Sequence, residues 1–99
     1  MKLYNSTDYS TELLQKIEQL ASQLTPPTEM SFLLGIDERI LKMDLSIPDS
    51  PARKAFFTGF ARTANELRCN NIALANAGSP AALVSCLNDM HNMITDLDT

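Results

Sequence analysis

The stretch TEMSFLLGIDERILKMDL, residues 28–45, decides the fold, because its apolar spacing and single glycine are typical of a helix-turn-helix. Met30 and Ser31 are predicted to lie on the inner face of a first short helix, which Leu34 closes. Gly35 can take a positive φ at the C-terminal turn without steric cost. The spacing therefore predicts that the chain reverses direction directly after this helix.

A second short helix is predicted to follow the turn at once. Ile36 is expected to fill the corner between the two helices, and Asp37 to cap the second one. The inward residues of this second helix are expected to be Met43 and either Ile40 or Leu41. In DNA-binding proteins with this motif, the second helix lies in the major groove.

The rest of the chain also predicts helices, so we expect an all-α fold. A short N-terminal helix is predicted over residues 7–24, which two prolines end, and its inner stripe is expected to comprise Tyr9, Leu13, Ile17, Leu20 and Leu24. A long helix is predicted over residues 51–77, because Ser50 and Pro51 supply an N-cap and a proline at the first helical position. Its apolar stripe is expected to comprise Phe56, Phe60, Thr63, Leu67, Asn71 and Leu74.

Glycines mark two further features of the predicted long helix. Gly59 lies inside it at a cost of about 1 kcal/mol relative to alanine, which indicates the close approach of another helix. The sequence Gly78-Ser79-Pro80 ends it and opens a last helix over residues 80–97, so the two are expected to form an antiparallel helical hairpin. The apolar stripe of the last helix is expected to share one core with the first helix and the helix-turn-helix: Leu83, Leu87, Met90, Ile94 and Leu97.

Length and composition indicate an ordinary globular protein. A chain of 99 residues predicts a single domain over residues 1–99, with the helix-turn-helix at 28–45 and the hairpin at 51–97. No apolar run approaches the roughly 20 residues that span a bilayer, so no membrane partner is expected. The first ten residues contain no apolar stretch typical of a signal peptide, and we expect a cytoplasmic protein.

The sequence contains no combination of residues typical of catalysis. His91 is the single histidine, with no second ligand at metal spacing, and is expected to lie on the surface. Cys69 and Cys86 are expected to be reduced core thiols, although their positions on either side of the predicted hairpin turn leave open an approach between them. We therefore expect no enzymatic activity, no catalytic residues, no cofactor and no metal.

Charge is distributed unevenly along the chain, whose net charge is −4. Residues 39–68 contain six of the eight basic residues and only three of the twelve acidic ones, so this segment alone could meet a polyanion favourably. The alternative is an ordinary solvated helix surface on which acidic neighbours pair with the basic side chains.

Three segments resemble small helical proteins of bacteriophages and prophages that carry an N-terminal helix-turn-helix and are associated with small terminase subunits. They are MSFLLGIDERILKMDL, SPARKAFFTGFARTANELR and LANAGSPAAL, all within residues 28–84. The resemblance implies a DNA-recognition role in genome packaging in a bacterial host. It also implies a homo-oligomer that forms through the hairpin.

Two functions follow as hypotheses. In the first, Arg39 and Lys42 point outward from the second helix of the motif toward double-stranded DNA, and Arg53 and Lys54 contact the neighbouring backbone. An oligomer that repeats the basic segment would strengthen such binding. In the second, the helix-turn-helix is only structural and the chain is an adaptor that binds a protein partner. Exposed acidic residues at 37, 38 and 44 would favour this second hypothesis.

Overall fold

The computed structural model describes residues 9–98, which form two compact units that meet in sequence after Thr63. Unit 1 comprises the described residues up to Thr63, and unit 2 those from Ala64 onward. All regular structure in residues 9–98 is helical, which confirms the all-α prediction. The helices are α1 (Thr11–Ser22), α2 (Pro27–Leu34), α3 (Glu38–Leu45), α4 (Pro51–Asn76) and α5 (Pro80–Leu97). The prediction of one domain over residues 1–99 stays a prediction.

Helix α1 is shorter than the predicted segment 7–24, whose first two residues lie outside the described part. Ser10 caps it, because its Oγ accepts the main-chain N–H of Leu13 at 3.0 Å. The helix ends early because Leu24 takes a positive φ of 62°. The prediction that Leu24 continues the inner stripe is wrong: its side chain is exposed, because the left-handed turn carries it away from the buried face.

The turn between α2 and α3 has the predicted construction. Gly35 has a φ of 69° and its N–H bonds to the carbonyl of Ser31. Met30 and Ser31 are both buried, and Ile36 is half-buried against the core. The helix-turn-helix prediction is therefore confirmed in its geometry, with α2 packed on α3 and α1 packed on α2.

Helix α3 buries a different face from the predicted one. Leu41 and Leu45 are buried, and so is Asp44, whereas Met43 is 57% exposed and Ile40 is exposed as well. The prediction that Met43 points inward is wrong. With Leu41 at the centre of the buried face, the residues three and four positions further along are Asp44 and Leu45, whereas Met43 lies to the side.

The first part of α4 completes unit 1 with small residues. Ser50 caps it as predicted, since its Oγ accepts the N–H of Arg53 at 3.0 Å. The buried residues in this part are Ala52, Ala55 and Gly59, while Phe56 is half-buried and Phe60 is exposed. The expected stripe is therefore displaced, because small residues allow α1 to lie close to α4 where phenylalanine could not.

Gly59 shows how close that approach is. A Cβ atom added there would collide with the carbonyl group of Glu18 and would lie 3.0 Å from the main-chain N of Ser22. The side chains of Arg62 and Thr63 continue this contact, donating to the Glu18 carboxylate at 2.8 Å and to the Ser22 carbonyl. The close helix approach predicted from Gly59 is confirmed.

The core cluster of buried residues lies entirely in unit 1. It consists of Tyr9, Ile17, Ala21, Met30, Leu41, Leu45, Ala52 and Ala55. Six half-buried apolar residues pack against it, and the last of them along the chain is Phe56. None of the apolar residues of α5 belongs to this cluster, and the prediction that their stripe shares one core with the first helix and the helix-turn-helix stays a prediction.

Unit 2 consists of the second part of α4 and α5, joined by the predicted tight turn. Gly78 has a φ of 101°, and the Oγ of Ser79 accepts the N–H of Ala82 at 3.3 Å. Further along the pair, Nδ2 of Asn71 donates to Sγ of Cys86 at 3.8 Å. The contact between Asn71 and Cys86 places a residue after the turn opposite one before it, as in the antiparallel hairpin that the sequence predicts.

The helices of unit 2 leave their large apolar side chains exposed. Ala82 is the single buried residue among those described in this unit. Cys69 is exposed and Cys86 is half-buried, and both are free thiols, so the expectation that Cys69 is a core residue is wrong. The exposed apolar residues are Leu67, Ile72, Leu74, Leu83, Val84, Leu87, Met90, Met93, Ile94 and Leu97.

Candidate nucleic-acid interface

All four basic residues predicted to meet DNA lie in unit 1, and the structure uses them differently. Arg39 lies in the first turn of α3 with its side chain 93% exposed. Lys42, one turn further along, is about half exposed and contacts an acidic neighbour. Lys54 is exposed at the start of α4, whereas Arg53 is half-buried. Arg39 and Lys54 are therefore the two that direct their charge most freely to solvent.

One of the three acidic residues near α3 is withdrawn from its outer surface, and a second caps the helix while its side chain stays 52% exposed. Asp37 is the N-cap, and its Oδ1 accepts the N–H groups of Arg39 at 2.9 Å and Ile40 at 3.2 Å. Its negative charge therefore lies against the positive end of the helix dipole. Asp44 is fully buried on the opposite side of the helix. The burial of Asp44 reduces the repulsion that a phosphate backbone would meet at α3, whereas the Asp37 carboxylate stays half exposed beside Arg39.

Asp44 is an unusual core residue because neither of its carboxylate oxygens has a hydrogen-bond donor among residues 9–98. Burial accordingly raises the pKa of this carboxyl group. Burial also raises the pKa of Tyr9 to about 12, and the negative charge of Asp44 adds to that increase. Ser50 binds Asp44 through the main chain only, since its Oγ donates to the Asp44 carbonyl at 2.7 Å.

Glu38, in the first turn of α3, has a side chain that is 43% exposed and pairs with a basic residue. Its Oε2 accepts from Nζ of Lys42 at 2.8 Å and from Oγ1 of Thr28 at 3.3 Å. The hydrogen bond from Lys42 is the main reason that the pKa of Glu38 lies below its usual value. The pair of Glu38 and Lys42 reduces the positive charge that Lys42 offers to a phosphate. The bond from Thr28 joins the start of α2 to α3.

Arg53 has an internal role at the end of α3. Its Nη1 donates to the carbonyl of Leu45 at 2.8 Å, and its guanidinium lies 4.7 Å from the centroid of the Phe57 ring. The bond satisfies one of the carbonyls that a helix C-terminus leaves without an intrahelical partner. Arg53 therefore stabilises the connection between α3 and α4, in addition to any contact it makes outside the chain.

The exposed face of α3 also contains two apolar side chains, of which Met43 was predicted to point inward and Ile40 was one of two alternatives for the interior. Ile40 and Met43 line one shallow depression together with Asp37 and Arg39. The sequence offered a signal for this, because choosing Leu41 over Ile40 as the inward residue puts both Ile40 and Met43 outside. The outer surface of α3 thus combines the Arg39 guanidinium, whose Nε lies 4.0 Å from Oδ1 of Asp37, with two apolar side chains.

Other candidate chemistry is sparse in the described part of the chain. His91 is exposed on α5, and its carbonyl accepts from Oγ1 of Thr95 within the same helix. Residues 9–98 contain no group of three histidine, cysteine or acidic side chains placed to hold a metal ion. No helix in this range is long and apolar enough to cross a membrane.

Comparison with known proteins gives no relative. No protein-family model, curated protein or solved structure matches the chain. The proposals below therefore depend on the geometry of α2 and α3 and on the resemblance stated above.

Proposed function

We propose that this chain is a non-catalytic DNA-recognition protein of small-terminase character, in which α3 enters the major groove of duplex DNA. The observation that carries the proposal is the arrangement at the start of α3. Asp37 accepts main-chain N–H groups as the cap, and Asp44 is buried. Arg39 extends into solvent from the first turn of α3, which is the turn that contacts base edges in DNA-binding helices of this kind.

Binding by one copy is expected to be weak, because few cations are available for phosphates. Lys42 is paired with Glu38 and Arg53 is bonded to Leu45. Several copies that each present Arg39 and Lys54 would bind cooperatively through multivalency. We propose that copies associate through the exposed apolar side chains of unit 2, in line with the homo-oligomer that the resemblance implies.

The test is a salt titration of binding to a random-sequence duplex, with the mass in solution measured in the same buffers. Wild type should bind with a salt dependence that becomes steeper with the number of copies in the oligomer. Replacing both Arg39 and Lys42 by alanine should lower affinity and reduce the slope by up to about two phosphate contacts, near 0.9 per contact. Lys16→Ala, at an exposed position on α1, is the matched control and should leave the slope unchanged.

A second candidate function is a protein-binding adaptor, and one observation favours it. Phe32 is 81% exposed and Leu33 is exposed beside it on α2, which is unusual for side chains that face only water. Wild-type protein that shows no salt-dependent binding to duplex DNA, even as an oligomer, would contradict DNA recognition and put the adaptor first.

A further inference from the structure

The outer face of α3 combines a guanidinium with apolar side chains, and this combination has a chemical counterpart in one kind of DNA sequence. Asp37, Arg39, Ile40 and Met43 line the same depression, so one ligand surface can contact the guanidinium and both apolar side chains beside the capping carboxylate. In the major groove, arginine pairs with O6 and N7 of guanine, and apolar side chains contact the C5-methyl group of thymine. Both groups are displayed at the edge of the bases, where a helix reaches them.

Few cations at this face are available for phosphates, so its sequence-independent binding is expected to be weak. Of the six basic residues in residues 39–68, three donate to groups of the chain itself: Lys42 to Glu38, Arg53 to Leu45 and Arg62 to Glu18. Each such bond competes with a phosphate contact. Since phosphate contacts supply most of the sequence-independent affinity, a protein with few of them must depend more on the bases.

The cap residue also positions the guanidinium. Oδ1 of Asp37 lies 4.0 Å from Nε of Arg39 while it accepts the two main-chain N–H groups of the first turn. The contact with Asp37 is made at Nε, which leaves the two terminal nitrogens of Arg39 for an external acceptor. That fork matches the paired acceptors of guanine better than a single phosphate oxygen.

Helix geometry sets the distance between the two contacts. Arg39 and Met43 are four residues apart, so they lie on about the same face of the helix and are separated by about 6 Å along its axis. Successive base pairs are separated by about 3.4 Å, so the two side chains reach bases at most about two steps apart.

We propose that α3 recognises duplex DNA in which a guanine lies within about two base pairs of a thymine, reading the guanine with Arg39 and the thymine methyl group with Ile40 and Met43. This inference rests on the proposed function, and it adds the base composition of the site.

The experiment begins with the full chain and a duplex library that has a random central segment. Sequences retained after several rounds are resynthesised with deoxyuridine for thymidine, which removes only the C5-methyl group, or with 7-deazaguanine, which removes only the N7 acceptor. We expect enrichment of guanine next to or near thymine. The deoxyuridine duplex should bind about threefold more weakly and the 7-deazaguanine duplex about tenfold more weakly.

Variants assign each effect to a side chain. Replacing both Ile40 and Met43 by alanine should abolish the deoxyuridine effect and keep the 7-deazaguanine effect, whereas Arg39→Ala should do the reverse. Leu33→Ala, an equally exposed apolar truncation on α2, is the control that should keep both effects.

The outcomes separate this inference from the proposed function. Retained duplexes without a guanine and thymine preference, or with equal affinity for thymidine and deoxyuridine forms, overturn the inference and leave DNA recognition standing. A library that is not retained at all at low salt overturns both, and capture of a protein by the α2 and α3 surface would then support the adaptor.

Discussion

Unit 1 and unit 2 are both helical, but they bury their side chains in opposite ways. In unit 1 the large residues Ile17, Met30 and Leu41 are completely buried. In unit 2 the single buried residue among those described is Ala82, and the large apolar residues of both helices are exposed. Helical periodicity alone therefore does not indicate a buried stripe, because burial needs a second surface to pack against.

The largest effect is expected when the same truncation is made in each unit. Leu41→Ala should lower the free energy of unfolding by about 3 kcal/mol, because a fully buried leucine leaves a cavity. Leu87→Ala, in the exposed stripe of α5, should change it by less than about 0.5 kcal/mol in dilute solution. Chemical denaturation of both variants measures the difference. Equal losses would remove the distinction between the units.

The second effect sharpens the packing of unit 1. Gly59→Ala adds a Cβ atom against the Glu18 carbonyl, so α1 and α4 must separate, at a cost of about 2 kcal/mol. The control is Gly78→Ala in unit 2, where no atom lies near the added Cβ and the cost arises only from the positive φ, about 1 kcal/mol. Thermal unfolding in which the Gly59 variant is as stable as wild type would show that the two helices do not touch there.

The third effect tests the turn of the helix-turn-helix. Gly35→Val should lower the free energy of unfolding by more than about 1 kcal/mol, because a β-branched residue does not adopt the left-handed conformation cheaply. Gly35→Asn is the matched variant, since asparagine tolerates this conformation, and it should retain most of the stability. Denaturation that finds valine and asparagine equally tolerated contradicts the turn assignment.

The smallest effect is a gain in stability at Asp44. Its carboxyl group has a raised pKa in the folded chain, so it binds a proton more tightly there than in the unfolded chain. The contribution to stability is present below the ordinary pKa and is lost as the pH rises through the folded-state pKa. Asp44→Asn should therefore stabilise the protein at neutral pH by roughly 1 kcal/mol.

The pH dependence provides the check on this mechanism. Relative to the Asp44→Asn variant, wild type should lose stability as the pH rises from about 4 toward neutrality, whereas the lowered pKa of Glu38 acts in the opposite sense in both proteins. Asp49→Asn, at an exposed position in the connector before α4, is the control and should retain the wild-type slope. Parallel pH profiles for wild type and Asp44→Asn would exclude Asp44 as the source.

Helix ends could be predicted from the sequence because their causes are local. Gly35, Ser50 and Ser79 each act on main-chain groups within a few residues of themselves, and the structure has the predicted turn and caps at all three. Leu24 is the exception. A leucine with a positive φ has no local signal, and the two prolines that follow it predicted only that α1 must end nearby.

The candidate interface could be predicted only in part. That α3 presents Arg39 to solvent follows from its place in the motif, but the pairing of Lys42 with Glu38 and of Arg53 with Leu45 depends on side-chain positions that spacing does not fix. The exposed Met43 was missed because an apolar residue at a plausible spacing was assigned to the interior.

By itself the sequence determined the helices, the turn at Gly35 and the close approach at Gly59, since propensity, capping and the absence of a side chain are properties of the residues themselves. Only the tertiary structure decided which face of each helix is buried. Asp44 lies inside while Met43 lies outside. The position of α3 against its neighbours, set by Leu41, outweighs the preference of Asp44 for water and that of Met43 for the interior. The exposure of the apolar stripe of α5 is also a matter of tertiary structure, since few residues in unit 2 are placed to cover it.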